Sequence, residues 1–211
     1  MPFEEELESV LPADLPNRER VVTLCAKHLE LIEETNRTMN LTRITNAHEA
    51  AIKHVLDSVM PWRLFAEGSA VLDAGTGAGF PGIPLAIALP EVKFVLTESI
   101  QKKARFVQSA VDALGITNAS VQSVRAEEFL SSQRVDIVTA RAVVPLVKAI
   151  PLFAFAFKQG TRVLLYKGPD VEQEIAEASL EARKRKVRVV VTERYELPEG
   201  MGMRTIVALE R

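Results

Sequence analysis

The stretch Val71-Leu72-Asp73-Ala74-Gly75-Thr76-Gly77-Ala78-Gly79-Phe80-Pro81-Gly82 constrains this chain more than any other. It sets four glycines directly after a short apolar run that reads as a strand, and ahead of Pro84–Leu89, which reads as the start of a helix. A strand, glycine turn and helix in that order belong to an open α/β sheet, where ligands lie outside the carboxyl ends of the strands. Glycine there permits a tight turn and close approach of a ligand to the backbone. Two parses fit. Gly75, Gly77 and Gly79 make G-x-G-x-G with Asp73 upstream, while Gly77, Gly79 and Gly82 make the G-x-G-x-x-G of dinucleotide sites. In both, an acid follows at the end of the next strand, Glu98, placed to accept hydrogen bonds from the ribose hydroxyls of an adenosine. The first parse is favoured. Gly77 does not follow the strand directly, Pro81 lacks the N–H that a pyrophosphate would take from a helix start, and 67–211 leaves no room for a separate substrate domain. A P-loop is excluded, because Ile83 follows Gly82 where Lys and Ser or Thr are needed.

The rest of the chain agrees with that unit. Val21, Leu24, Cys25, Leu29 and Ile32 recur at helical spacing, with Asp14 or Asn17 as candidate caps and Pro16 at the start. Residues 36–40 break this helix, and a second is expected from His48 to Met60. Residues 1–66 therefore read as a helical extension and 67–211 as the α/β domain. Strands are expected at 70–72, 92–97, 119–124, 135–139 and 161–166, with helices at 102–114, 145–157 and 171–183 between them. Repeated βα units imply a parallel sheet covered on both faces. The last two apolar runs, 187–192 and 203–209, have no helix between them and read as an antiparallel hairpin at the sheet edge.

Charge limits the partners. With 26 Lys+Arg against 28 Asp+Glu the net charge is −2, so a nucleic acid must be met by a local patch rather than by the whole surface. Cys25 is the single cysteine. It excludes an intrachain disulfide and a cysteine metal cluster, and fits a reducing, cytoplasmic setting. The acidic start, Phe3-Glu4-Glu5-Glu6, does not read as a signal peptide. The longest uncharged run, 74–90, is broken by four Gly and three Pro and is a poor membrane helix. No membrane contact, no metal and a monomer are expected.

Further markers sit at predicted carboxyl ends. Ala126 and Glu127, in Arg125-Ala126-Glu127-Glu128, follow the third strand and face the crevice beside Glu98, or else serve as an acidic helix start. Arg141 follows the fourth strand, as a contact to cofactor, phosphate or base, or as a salt bridge to Asp136 or Glu127. Lys167 follows the fifth. A charge there is costly unless exposed or paired, which favours a phosphate. Arg183-Lys184-Arg185-Lys186-Val187-Arg188 is the densest basic run, either an RNA contact or a solvated helix end. Phe80 lies beside a cofactor or base, or packs in the core. His28, His48 and His54 are dispersed, and His54 is expected to bond near Asp57.

These residues together resemble a known family. Asp73 through Leu85 is similar to motif I of the ribosomal RNA small-subunit methyltransferase G family, also called glucose-inhibited division protein B. Asn40-Leu41-Thr42, His54-Val55-Leu56-Asp57-Ser58, Glu98-Ser99 with Lys102-Lys103, Arg125-Ala126-Glu127, Arg141-Ala142 and Lys167-Gly168 match in order. The resemblance implies a class I S-adenosylmethionine-dependent methyltransferase, Rossmann-like, with a mostly parallel seven-stranded sheet and a C-terminal antiparallel hairpin. It implies methylation of guanine N7 at position 527 of 16S rRNA, in the 530 loop, on rRNA or the small ribosomal subunit. Cofactor contacts carried over fall on Gly75, Phe80, Glu98, Ala126, Glu127 and Arg141, and substrate contacts are expected at Arg141 and Lys167. Thr35-Asn36 stands where many relatives have Trp-Asn. The guanine N7 lone pair is free at neutral pH, so direct displacement requires no general base and no catalytic residue is assigned. Asn or Asp followed by Pro-Pro-Tyr, used on exocyclic amines, is absent, in keeping with a ring nitrogen. The alternative is a class I methyltransferase acting on a small molecule or a protein.

Overall fold

The structure, a computed structural model, describes residues 2–66, 68–141 and 144–211. Seven strands make one sheet: β1 Ala70–Ala74, β2 Lys93–Thr97, β3 Ala119–Gln122, β4 Ile137–Arg141, β5 Arg162–Lys167, β6 Arg188–Leu197 and β7 Gly202–Glu210. The order is β3-β2-β1-β4-β5-β7-β6. The first five strands are parallel, and β7 runs antiparallel between β5 and β6. This is the class I methyltransferase topology expected from the sequence. The chain steps outward from β1 through β2 to β3, then returns to the other side of β1 with β4. A crevice therefore opens at the carboxyl ends of β1 and β4, where the winding reverses.

Side chains alternate across the sheet as strand geometry requires. Val71, Phe94, Leu96, Leu164, Tyr166, Ile206 and Ala208 point into one core. Leu72, Ala74, Val138, Val163, Leu165, Val207 and Leu209 point into the other. The first face is covered by the N-terminal helices α1 Pro2–Val10 and α2 Arg18–Asn36, by α3 Ala47–Ala50, a π-helical stretch Ala51–Leu56 and α4 Asp57–Val59, by α5 Trp62–Ala66, and by α6 Gly82–Ala88 and α7 Gln101–Ala113. The second is covered by α8 Ala126–Ser132, α9 Leu146–Leu152, α10 Ala154–Lys158 and α11 Val171–Arg185. Residues 2–66 thus share one core with the sheet.

Several expectations are corrected. Asn17 precedes α2, but it lies in the left-handed region (φ 53°) and makes no cap; its amide instead donates to Ala88 O at 2.9 Å. Asp14 pairs with Arg63, and α2 starts at Arg18 rather than Pro16. The helix expected at 48–60 is present, but its middle is π-helical. The helix expected at 145–157 is two, because Phe153 leaves helical geometry (φ −95°, ψ 22°) just after Pro151. The hairpin strands run longer than expected, to Leu197 and Glu210.

Candidate active site at the carboxyl edge of the sheet

The glycine turn closes the end of β1. Gly75, Gly77 and Gly79 have φ of 71°, 64° and 101°, values that side chains rarely adopt. The amides of Gly75 and Thr76 both donate to Thr97 O, at 2.9 and 3.0 Å, which ties the turn to the end of β2. A Cβ on Gly82 would stand 2.1 Å from Leu96 Cδ2 and 2.7 Å from Asp73 Oδ2, and one on Gly79 would stand 2.6 Å from Ile83 Cδ1. Those two glycines exist for packing. Gly77 is different: a Cβ there would meet nothing nearer than Gly75 O at 4.0 Å. Its open side is the floor of the crevice.

Two buried carboxylates frame that floor. Glu98 accepts from Gly77 N at 3.2 Å and Ile100 N at 2.8 Å, one bond per oxygen. Each oxygen keeps a further lone pair for a hydroxyl donor. Asp73 accepts from Thr76 Oγ1 at 2.6 Å and Gly82 N at 2.8 Å, both on Oδ2. Its Oδ1 is buried and has no hydrogen-bond partner among the described residues. Burial pushes the Asp73 carboxyl up to about 6, against the pull of Thr76 and Gly82. Glu98 also receives its chain register from β3, since Glu98 N donates to Gln122 O at 3.1 Å. Beyond β3, Ala126 is buried at the start of α8, and Glu127 is half-buried in its first turn with Glu128.

The β4 and β5 side of the crevice is held by the π-helical stretch. Its turn is widened, with Asp57 N donating to Ile52 O five residues back, and π-bulges often mark functional sites. The sheet adds donors to this stretch and to α4 after it. Arg141 Nη1 donates to Lys53 O at 2.9 Å and lies 3.3 Å from Asp57 Oδ2. Tyr166 OH donates to Ser58 O at 2.7 Å, and Tyr195 OH sits 3.0 Å from Asp57 O. Arg204 Nε donates to Asp57 Oδ2 at 3.2 Å. Asp57, only 2% exposed, thus carries two arginines. Arg141 pairs with neither Asp136 nor Glu127; Asp136 instead accepts from Ser69 and Ala70. Ala142, expected to follow Arg141 in the matched pair, lies outside the described residues.

Phe80 joins the two halves. It is 5% exposed, stacks parallel on His54 at 4.6 Å, lies 4.9 Å from His28, and has the Arg141 guanidinium 5.4 Å from its ring centre. His54 bonds Thr42 Oγ1 at 2.9 Å rather than Asp57. Burial, with the charge of Arg141 beside it, drops the His54 pKa to about 3, so its ring is neutral. His28 bonds Ala78 O and is pushed down to about 4 by burial. Lys167 donates to Val144 O at 2.7 Å and Glu174 Oε2 at 2.8 Å, which engages two of the three ammonium donors.

The sequence expectations therefore converge in space. Gly75, Glu98, Ala126 and Glu127 stand at the ends of β1, β2 and β3, with Phe80 and Arg141 alongside. Arg141 and Lys167 share a cavity of about 620 Å³ with Lys53, Asp57, Tyr166 and Arg204. Sequence reasoning missed Asp57 and Arg204. The signal for Asp57 was a carboxylate inside the apolar run Val55-Leu56-Asp57-Ser58-Val59, and for Arg204 a charge just ahead of the all-apolar Ile206–Leu209. Beside the departure at Thr35, the matching Asn36 has a clear structural part: its Oδ1 accepts from Leu41 N and Thr42 N, and Nδ2 donates to Thr42 O. That fixes the loop that carries Thr42 to His54.

Comparison with known proteins places this geometry. The family model described as rRNA small subunit methyltransferase G matches residues 22–199. A ribosomal RNA small subunit methyltransferase G from Solibacter usitatus is 59% identical over 209 residues, covering 99% of this chain and 100% of that one. One of the same name from Sorangium cellulosum is 43% identical over 165 residues, covering 75% and 69%. Among solved structures, the O-methyltransferase TomG from Streptomyces achromogenes in complex with SAM superposes with a TM-score of 0.59 at 18% identity, covering 88% of this chain and 90% of its own. The O-methyltransferase from Bacillus cereus in complex with SAH gives 0.59 at 17% identity, covering 88% and 91%.

Proposed function

The chain belongs to the rRNA small subunit methyltransferase G family, and from that premise we propose that it moves a methyl group from S-adenosylmethionine to N7 of a guanosine in 16S rRNA, position 527 of the 530 loop. The coarser activity, S-adenosylmethionine-dependent methylation of small-subunit rRNA, follows from the family. The atom, the nucleotide and the residue roles are our reading. One observation carries it: the glycine turn with its two carboxylates and the cavity where Arg141, Lys167 and Arg204 stand with their partners Asp57 and Glu174 lie at the same edge of the sheet.

The residues fit the cofactor half. Gly77 leaves space at the turn, Glu98 keeps lone pairs for two ribose hydroxyls, and Asp73 Oδ1 keeps one for a cationic donor. Ala126 and Glu127 stand where an adenine edge would pass, and Gly75 and Phe80 bound the floor. When bound, the cofactor supplies an electrophilic methyl on a sulfonium. The chain's task is then to hold the guanine ring nitrogen in line with it and to exclude water.

The substrate half suits a base that becomes cationic. His54 is neutral, and Phe80 offers a ring rather than a charge. Arg141 is anchored by Nη1 to the π-helical stretch, which turns the rest of its guanidinium toward the cavity, in reach of O6 or a phosphate. Lys167 keeps one donor for a phosphate. The target guanosine leaves its stack to reach the methyl. We also retain the division at 66/67, with 1–66 as an extension that walls the cavity through His54 and Asp57.

Two variants test the cofactor half. Gly75→Val forces a β-branched residue to φ 71°, and Glu98→Ala removes the ribose acceptors. Calorimetric S-adenosylmethionine affinity is expected to fall at least tenfold in both. Unchanged affinity in both would refute this placement.

A further inference from the structure

The basic run 183–188 is not used by the site described above. Helix α11 begins next to Lys167 at the crevice and ends at Arg185, 15 residues later, a span of about 22 Å. Its far end lies at the opposite edge of the sheet, beside the start of β5 and the end of β7. There a hollow of about 230 Å³ is lined by Phe157, Lys158, Lys184, Arg185, Lys186 and Arg211, with no acidic side chain among its lining residues and the terminal carboxylate of Arg211 its one anionic group. Arg185 is tied to Glu181 and Arg188 to Glu210. Among the described residues, Lys158, Lys184 and Lys186 make no direct ion pair, although Lys184 stands close enough to Glu181 to help Arg185 hold its carboxyl below the usual range. All three are exposed. Lys158 lies 5.3 Å over the ring of Phe155, which is 45% exposed.

We propose that this hollow is a second RNA-docking surface, which grips the backbone of the substrate rRNA about 20 Å from the methyl-transfer crevice. In a chain of net charge −2, a hollow where five cationic side chains outweigh one terminal carboxylate is a local attractor for a polyanion. Unpaired lysines beside an exposed aromatic ring match a phosphate backbone with a base free to stack. The separation from the crevice sets the size of the ligand: a partner that fills both positions is a folded nucleic acid, not a nucleoside. The inference rests on the proposed rRNA substrate, and its test separates the two.

The test measures retention of labelled 16S rRNA on filters against KCl concentration, with methyl transfer to the same RNA assayed in parallel. The variant is Lys158→Gln with Lys184→Gln, both exposed and outside the crevice. The control is Lys27→Gln with Lys93→Gln, which removes the same charge elsewhere. Each phosphate contact contributes roughly 0.7–0.9 to the slope of log affinity against log salt. The hollow variant is expected to lose about 1.5 from that slope and several-fold in affinity at low salt, with S-adenosylmethionine affinity unchanged and the control close to wild type. Equal slopes in the hollow variant, the control and wild type would overturn the docking surface, whether or not methyl transfer occurs. Absent methyl transfer by wild type to this RNA and also to small ribosomal subunits, together with the slope loss, would instead overturn the proposed reaction and leave the surface standing.

Discussion

Arg141 at the end of β4 donates to the backbone oxygen of Lys53 at 2.9 Å, across 88 positions of the chain. This bond explains how a helical extension and a sheet come to build one site. The π-helical stretch presents the Lys53 carbonyl to the sheet, and Arg141 at a strand end donates to it.

Arg141→Ala should therefore cost stability as well as activity. It strips a donor from a part-buried carbonyl and one cation from the buried Asp57. We expect a loss of about 2 kcal/mol in urea unfolding, within the usual range for such bonds. Arg141→Lys, which keeps the charge but not the fork, should recover part of it. An unfolding midpoint equal to wild type in Arg141→Ala would show that the π-helical stretch is held by other contacts.

The pH dependence of Asp73 has a definite sign. Its folded pKa of about 6 lies above the usual 3.8. Its contribution to stability is present below pH 4 and is lost as pH rises through 6, at about 3 kcal/mol for the full shift. Asp73→Asn should gain on wild type in melting temperature as pH goes from 4 to 7, while S-adenosylmethionine affinity falls. A melting difference that is flat across that range would contradict the raised pKa.

His54 behaves in the opposite way. With a folded pKa near 3 against 6.5, its contribution is present above pH 6.5 and is lost as pH falls toward 3. At pH 4.5 the loss is about 3 kcal/mol. His54→Gln removes the titration and retains a donor for Thr42. The stability gap between wild type and this variant should narrow by about that amount between pH 7.5 and 4.5, read by denaturant unfolding at both values.

The glycines separate packing from binding. Gly82→Ala must displace Leu96 and Asp73 and should cost about 2 kcal/mol of stability, as overpacking does. Gly77→Ala meets open space and should cost only about 1 kcal/mol for its left-handed backbone, yet lower cofactor affinity by the larger factor. Thermal melts with and without S-adenosylmethionine distinguish the two.

The central strands β1, β4 and β5 were legible in the sequence because they are buried on both faces and read as short apolar runs. The glycine turn and Glu98 were legible because only a particular backbone conformation and a particular acid suit that position. Asn17 was misread as a cap: local pattern does not show that its amide reaches Ala88. The π-helical stretch was invisible for a similar reason. Its sequence, Ala51-Ile52-Lys53-His54-Val55-Leu56, has ordinary helical periodicity, and the contacts made to it and to α4 by Arg141, Tyr166 and Tyr195 come from distant strands. Asp57 and Arg204 went unassigned for the same cause, since their partnership spans the whole chain.

The most direct measurement is the identity of the methylated nucleoside. Protein is incubated with methyl-labelled S-adenosylmethionine and small ribosomal subunits that lack the modification, and the RNA is digested to nucleosides. We predict that the label is recovered in 7-methylguanosine from 16S rRNA. Label in any other nucleoside, or none while the cofactor still binds, would contradict the proposed reaction.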